Sequence, residues 1–221
     1  GTQDNGTWCG PHRTRQRAGI TTHDWYSIFG GDGFHSHVSV DSPAIFYAES
    51  QYGNMARRNA ATYESQGLQP HSEDAGYLSG YAFRWDWNTP FIISHHDPTT
   101  LYLGGNHLFR LHDRGKSWAT LGPDMTRGNR YDPAPDSTYT SYRSLHSVAE
   151  STLTANRLWT GSNDGLIWTS SDGGESWSRV NDALPQEVQH CWVAEIEASH
   201  HDADRAYVAH DCHRRDDYRP W

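Results

Sequence analysis

Leu111-His112-Asp113-Arg114-Gly115-Lys116-Ser117-Trp118 and Ser170-Ser171-Asp172-Gly173-Gly174-Glu175-Ser176-Trp177 are two copies of one pattern, Asp-x-Gly-x-x-Trp. Each follows a hydrophobic run broken by glycine, Leu101-Tyr102-Leu103-Gly104-Gly105 and Leu158-Trp159-Thr160-Gly161-Ser162. An aspartate carboxylate accepts hydrogen bonds from the N–H groups of its own turn, the glycine takes positive φ, and the tryptophan packs beneath. Such a turn closes a hairpin. Ahead of each turn the residues alternate as strands do, in His107-Leu108-Phe109-Arg110-Leu111 and Gly165-Leu166-Ile167-Trp168-Thr169, so one unit reads strand, turn, strand, Asp turn, strand. Asp113, Gly115 and Trp118, like Asp172, Gly174 and Trp177, are therefore assigned to structure. Two unrelated Asp-Gly hairpins in a sandwich are the alternative, but a fixed repeat of this length signals a stack of equivalent units.

The flanks extend the repeat. His96-Asp97-Pro98-Thr99-Thr100-Leu101-Tyr102 leads into one unit, His201-Asp202-Ala203-Asp204-Arg205-Ala206-Tyr207-Val208 into another, and Val40-Asp41-Ser42-Pro43-Ala44-Ile45-Phe46-Tyr47-Ala48 into a third. The chain then divides into approximate units 1–40, 41–95, 96–152, 153–200 and an incomplete 201–221, roughly four unit lengths in all.

The second turn matches the Asp-box, or BNR repeat, of sialidase-like and sortilin-like β-propellers at Ser170, Asp172, Gly174 and Trp177. The first has Leu111 where Ser or Thr is usual. Other segments resemble the large bacterial group described as glycosyl hydrolase with BNR repeat, or sortilin N-terminal domain-like: Gly1-Thr2-Gln3-Asp4-Asn5-Gly6, Gly30-Gly31-Asp32-Gly33-Phe34, Glu49-Ser50-Gln51-Tyr52-Gly53, Arg84-Trp85-Asp86-Trp87-Asn88-Thr89-Pro90, Gly122-Pro123-Asp124-Met125-Thr126 and Asp216-Asp217-Tyr218-Arg219-Pro220. The resemblance covers nearly the whole chain. It implies an all-β fold, a β-propeller of four-stranded antiparallel blades with Asp-box turns. It implies little about activity, because one propeller scaffold serves many functions. A propeller closes by pairing its last blade with its first. This chain opens inside one blade and stops inside another, so we expect part of a larger propeller, with further blades of the same polypeptide as partners. A four-bladed ring whose N-terminal strand completes the last blade is the competing arrangement.

Composition agrees with an all-β chain: 221 residues hold 10 Trp, 12 Tyr and 20 Gly, with no long helical periodicity. The net charge of -9, from 18 Lys and Arg against 27 Asp and Glu, argues against a nucleic-acid partner, which needs clustered basic residues. Arg13-Thr14-Arg15-Gln16-Arg17 is a local exception and reads as a solvated loop. No stretch reaches the length of a membrane span. The family resemblance implies an extracellular or periplasmic location.

Three cysteines do not make a disulfide framework. Cys191 and Cys212 fall on neighbouring units and either pair or remain two buried thiols, which leaves Cys9 single. Among the 15 histidines, His35-Ser36-His37 would share one strand face and His210 and His213 flank Asp211 and Cys212, but neither set has a third ligand at a defined spacing. No metal and no cofactor is expected.

Serine-esterase, nucleotide-phosphate, dinucleotide and zinc-protease motifs are all missing from the sequence. Asn5-Gly6-Thr7 is a formal glycosylation sequon in a tight turn. Sialidase chemistry needs an arginine cluster and a Tyr-Glu pair, and no spacing links Arg57, Arg58, Arg84, Arg143 and Tyr142. A carbohydrate site of carboxylates and aromatics remains. Asp4, Asp32, Glu49 and Asp86 have no duty in the repeat turns and lie near Trp25, Trp85 and Trp87. Asp32 and Asp86 are nominated as an acid and base, and Asp4, Trp25, Arg84, Trp85 and Trp87 as ligand-binding residues. The opposing reading makes Asp4 and Asp32 turn formers, packs Trp85 and Trp87 between blades, and sets Asp86 against water or Arg84. Two functions follow: a module binding a glycan or protein through its loop face, or a glycoside hydrolase with paired carboxylates.

Overall fold

The computed structural model describes residues 1–71, 83–128 and 143–221, so Tyr142 lies outside the described residues. The strands are β1 (Thr7–Cys9), β2 (Tyr26–Phe29), β3 (Ser36–Val38), β4 (Ile45–Ser50), β5 (Asn54–Asn59), β6 (Ser65–Gly67), β7 (Phe91–Ile93), β8 (Leu101–Gly104), β9 (Leu108–His112), β10 (Ser117–Leu121), β11 (Leu145–Glu150), β12 (Leu158–Ser162), β13 (Ile167–Ser170), β14 (Ser178–Arg179), β15 (Trp192–Ala198) and β16 (Ala206–Asp211). Helical structure among the described residues is limited to short 3-10 turns. Three four-stranded antiparallel meanders form, β3 to β6, β7 to β10 and β11 to β14, with a two-stranded sheet at either end of the chain, β1–β2 and β15–β16.

Successive sheets pack against each other in chain order. Tyr47, Met55 and Leu68 of one meander meet Phe91, Leu101, Leu103 and Phe109 of the next. Tyr102 and Leu108 then meet Leu145, Val148 and Leu158, and Trp159 and Ile167 meet Val193 and Ile196. A sheet covered on both faces needs apolar residues on both sides of each strand. That is why β8 is buried at all its positions, whereas in β15 Val193, Ile196 and Ala198 are buried while Glu195 and Glu197 face water.

Two small features recur. A buried serine, Ser39, Ser94, Ser151 or Ser199, ends each first strand, and its N–H donates to the carbonyl of Ile45, Thr100, Arg157 or Arg205 across the turn. The hydroxyls of the last three also accept N–H groups from inside that turn. These turns are the lead-ins read from sequence near 41, 96, 153 and 201, which fall between the first and second strands. Gly104 ends β8 and Gly161 is the penultimate residue of β12, the second strands of two adjacent meanders; a Cβ on Gly161 would stand 2.2 Å from Val193 Cγ1, and one on Gly104 would stand 3.0 Å from Leu145 Cβ.

The Asp turns join third to fourth strands. In the second, Asp172 accepts the Ser176 N–H at 2.9 Å, Ser170 Oγ accepts the Gly174 N–H at 2.8 Å, and Trp177 Nε1 donates to the Gly174 carbonyl at 3.1 Å. In the first, where Leu111 replaces that serine, Asp113 instead accepts Lys116 Nζ at 2.7 Å. Both glycines press on the preceding sheet, Gly115 on Leu68 and Gly174 on Leu121, and both take positive φ, 87° and 91°. Cys191 and Cys212 form a disulfide with a Cα–Cα distance of 4.8 Å, and Cys9 is free.

Candidate functional site

Antiparallel meanders put the turn between second and third strands at the same end as the segment entering the first strand. At that end an amide side chain pins each entering segment: Gln51 Oε1 accepts the Asp32 N–H at 3.0 Å, Asn106 Oδ1 the Arg84 N–H at 2.9 Å, and Asn163 Oδ1 the Ser144 N–H at 3.2 Å. Asp32, Arg84 and Ser144 are thus equivalent positions of the repeat.

The turn Asp86-Trp87-Asn88-Thr89 sits on this frame. Asp86 Oδ1 accepts the Asn88 N–H at 3.1 Å, and the Thr89 hydroxyl donates to the Asp86 carbonyl at 2.9 Å. The Thr89 N–H donates to Glu49 Oε1 at 3.1 Å, and the Tyr52 N–H to the Trp87 carbonyl at 3.3 Å. With its backbone held, the turn displays Trp87, 42% exposed, edge-on to the equally exposed Tyr52 at 5.0 Å and to Phe34 at 6.3 Å. Tyr52 has φ 60°, the left-handed region, which costs a non-glycine residue on the order of 1 kcal/mol. Gln69 Nε2 bonds its carbonyl at 2.8 Å. The result is a rigid aromatic shelf.

Beneath the shelf lies a buried polar cluster. Asp86 Oδ2 accepts Asn163 Nδ2 at 2.8 Å, and His146 Nδ1 stands 3.3 Å from Asp86 Oδ1. Glu49 is fully buried, and its second oxygen has no hydrogen-bond partner. Burial pushes the Glu49 carboxyl up to about 9; backbone hydrogen bonding from Thr89 and His35 opposes the shift and the Asp86 charge adds to it. Burial also holds His35 down at about 4, aided by His37 and His146.

The nominated residues separate into different surroundings. Asp32 is buried and its Oδ1 accepts the Asp4 N–H at 2.8 Å, so Asp4 and Asp32 meet as turn partners. No hydrogen bond or ion pair joins Asp32 to Asp86 among the described residues. Arg84 is buried and pairs with Asp124 at 2.6 Å, not with Asp86. Trp85 stacks on Phe109 at 5.2 Å inside the core. Trp25 is exposed and covers Gly10, away from the shelf. Of the aromatic candidates, only Trp87 belongs to the shelf. Its companions Tyr52 and Phe34 were not singled out in the sequence; the clue was Tyr52 following Gln51, in register with the amides Asn106 and Asn163. The cation candidates do not assemble: His37 Nε2 contacts the Phe91 carbonyl at 3.2 Å, and no group of three metal-ligating side chains forms among the described residues. Nor is any helix among them long and apolar enough to cross a membrane.

No protein-family model and no curated protein matches this sequence. Among solved structures the chain is similar to the GH74 enzyme of Niastella koreensis, with 12% identity and a TM-score of 0.52, covering 83% of this chain and 30% of that one. It is also similar to YCF48 of Cyanidioschyzon merolae (13%, TM-score 0.46, 83% and 49% covered) and to the GH74 xyloglucanase of Xanthomonas campestris (16%, TM-score 0.44, 88% and 30% covered). The chain thus spans about 30% of the length of either GH74 structure. The likeness is one of fold. Together with the stacked four-stranded meanders, the likeness to the Niastella koreensis structure supports a β-propeller architecture.

Proposed function

We propose that this chain is part of an Asp-box β-propeller acting outside the cytoplasm, as a module that binds a glycan through the loop end carrying Trp87. The single observation behind this reading is the Trp87–Tyr52 shelf, two exposed rings fixed by backbone bonds where sequence repeats place only connecting turns. Exposed, immobilised aromatic faces suit stacking on sugar rings, and little side-chain entropy is lost on binding. The Cys191–Cys212 disulfide is compatible with an oxidising compartment. Binding is favoured over hydrolysis because Asp32, Glu49 and Asp86 are buried and engaged with backbone or amide groups.

The test is affinity electrophoresis of the full chain against a panel of soluble polysaccharides. Trp87→Ala should weaken retardation by at least about tenfold, the value of one lost stacking contact. Equal retardation of Trp87→Ala and the parent protein on every polysaccharide would remove the shelf from the site. Reducing-sugar release that vanishes in Asp86→Asn would instead favour the hydrolase reading.

A further inference from the structure

The connection from β1 to β2 departs from the repeat. Third and fourth strands of the complete sheets are joined by residues 60–64, 113–116 and 171–177, whereas β1 and β2 are joined by residues 10–25. Residues 1–6 lie against Gly33 and Asp32, so β1 starts at the Trp87 end and the 10–25 loop projects from the opposite, Asp-turn end. An insertion at one turn of a repeat is where binding surfaces are commonly built.

This loop is basic in an acidic chain. Arg13, Arg15 and Arg17 are exposed, with exposed His12 beside them. Other described arginines are engaged: Arg114 with Asp41, Arg157 with Asp204, Arg219 with Asp217, Arg58 with the Ile28 carbonyl. Arg13, Arg15 and Arg17 have no hydrogen bond, ion pair or ring contact among the described residues. The acid nearest in sequence, Asp24, is occupied by the Thr21 N–H at 2.7 Å and the Thr21 hydroxyl at 3.0 Å. Two exposed indoles flank the loop, Trp8 at 52% and Trp25 at 48%. Trp8 pairs with Ser27, so Trp8 and Trp25 share one face of the ribbon. Trp8 Nε1 is anchored on the Asn5 carbonyl at 2.6 Å, and the Trp25 ring rests on Gly10.

We propose that the 10–25 loop is a second binding site that takes an acidic polysaccharide, its arginines gripping uronate carboxylates and Trp8 and Trp25 stacking on the sugar faces. A guanidinium matches a carboxylate in a two-pronged bond, and an indole offers a flat apolar face. Nucleic acid would also attract the arginines. The net charge of -9, however, repels a dense phosphate polymer more than a chain bearing one carboxylate per sugar.

Binding of the full chain is measured by calorimetry at low salt to polygalacturonate, to fully methyl-esterified polygalacturonate, to duplex DNA and to phosphatidylserine vesicles. We expect binding to polygalacturonate alone, weakened at least about tenfold in Arg13→Ala/Arg15→Ala/Arg17→Ala and in Trp25→Ala. Each variant is checked for an unaltered melting temperature, which the exposed position of these side chains favours. The site is overturned by equal binding of the esterified polymer, by tighter binding of DNA or vesicles, by an unaffected triple variant, or by no polygalacturonate binding. Loss in Trp87→Ala with the triple variant intact moves the site to the shelf and also overturns it. The Trp87 proposal is read separately, from neutral polysaccharides.

Discussion

Glu49 carries a proton that burial keeps in place. The folded carboxyl titrates near 9, against an ordinary 4.5, first because it is buried and then because Asp86 lies close. A raised acid pKa means the folded state holds the proton longer than the unfolded chain, so its contribution to stability is fully present below pH 4.5 and is lost as pH rises toward 9. Glu49→Gln keeps the shape and removes the titration. Urea unfolding should therefore show the variant more stable than the parent at pH 8, by on the order of 1 kcal/mol or more, with the gap closing at pH 4.5. A gap that does not vary with pH would mean Glu49 does not titrate in this range. The two Asp-turn aspartates differ in another way. Asp172 is held down at about 2 by the Ser176 hydroxyl and N–H, while Asp113 is lowered chiefly by Lys116. A depressed pKa contributes stability above the unfolded value of 3.8 and loses it as pH falls through the folded one. Asp172→Ala should thus lower the melting temperature at pH 7 more than Asp113→Ala does, and only the Asp113 effect should fade in high salt, since an exposed ion pair is screened. The sequence distinguished these copies through Leu111, the residue whose missing hydroxyl leaves the first turn without its Ser170-type bond.

Elements were legible where one residue type performs one backbone task. Glycine at positive φ and tryptophan after it marked the Asp turns, and the apolar runs at Leu101 and Leu158 marked second strands covered on both faces. Other elements were hidden because different residues do equivalent work. Gln51, Asn106 and Asn163 share one amide-to-backbone role but differ in length, and Asp32, Arg84 and Ser144, the residues they hold, share only a backbone N–H. For that reason Asp32 and Arg84 attracted functional readings from sequence that their place in the repeat does not require. Trp85 and Trp87, two positions apart, looked alike in sequence; only the turn tied by Asp86 and Thr89 sends one into the core and the other out. The second strands give a direct test. Their glycines sit where the next sheet arrives, and a methyl on Gly161 would overlap Val193 Cγ1. Gly161→Ala should destabilise the protein by about 1–3 kcal/mol in denaturant unfolding, the usual cost of overpacking. Adding Val193→Ala should recover part of the loss, since the two sites share one contact. A neutral Gly161→Ala would show that the β12 to β15 interface yields readily to an added methyl group.

At the scale of the molecule, stability follows from the order of the stack. Each sheet packs chiefly on its neighbours in sequence, as repeat proteins do, so local opening free energies should fall from the middle sheets toward the two ends. The ends are not alike. Sheet β15–β16 is tied by Cys191–Cys212, and the His210 N–H also reaches the Trp221 carbonyl at 3.0 Å. Sheet β1–β2 has no covalent tie, and an isolated pair of strands is marginal in water. Its burial rests on Ile28 against Phe46 and Ala48 and on the Arg58 bond to the Ile28 carbonyl. Amide hydrogen exchange should accordingly be slowest in β8, β9 and β12, intermediate in β15 and β16, and fastest in β1 and β2. Reduction of the disulfide removes a constraint of about 3 kcal/mol on the unfolded chain, so it should speed exchange in β15 and β16 toward the β1–β2 rate and leave β8 and β9 unchanged. If reduction accelerated exchange in every sheet together, the molecule would open as one cooperative unit, and the nearest-neighbour account of its stability would have to be abandoned.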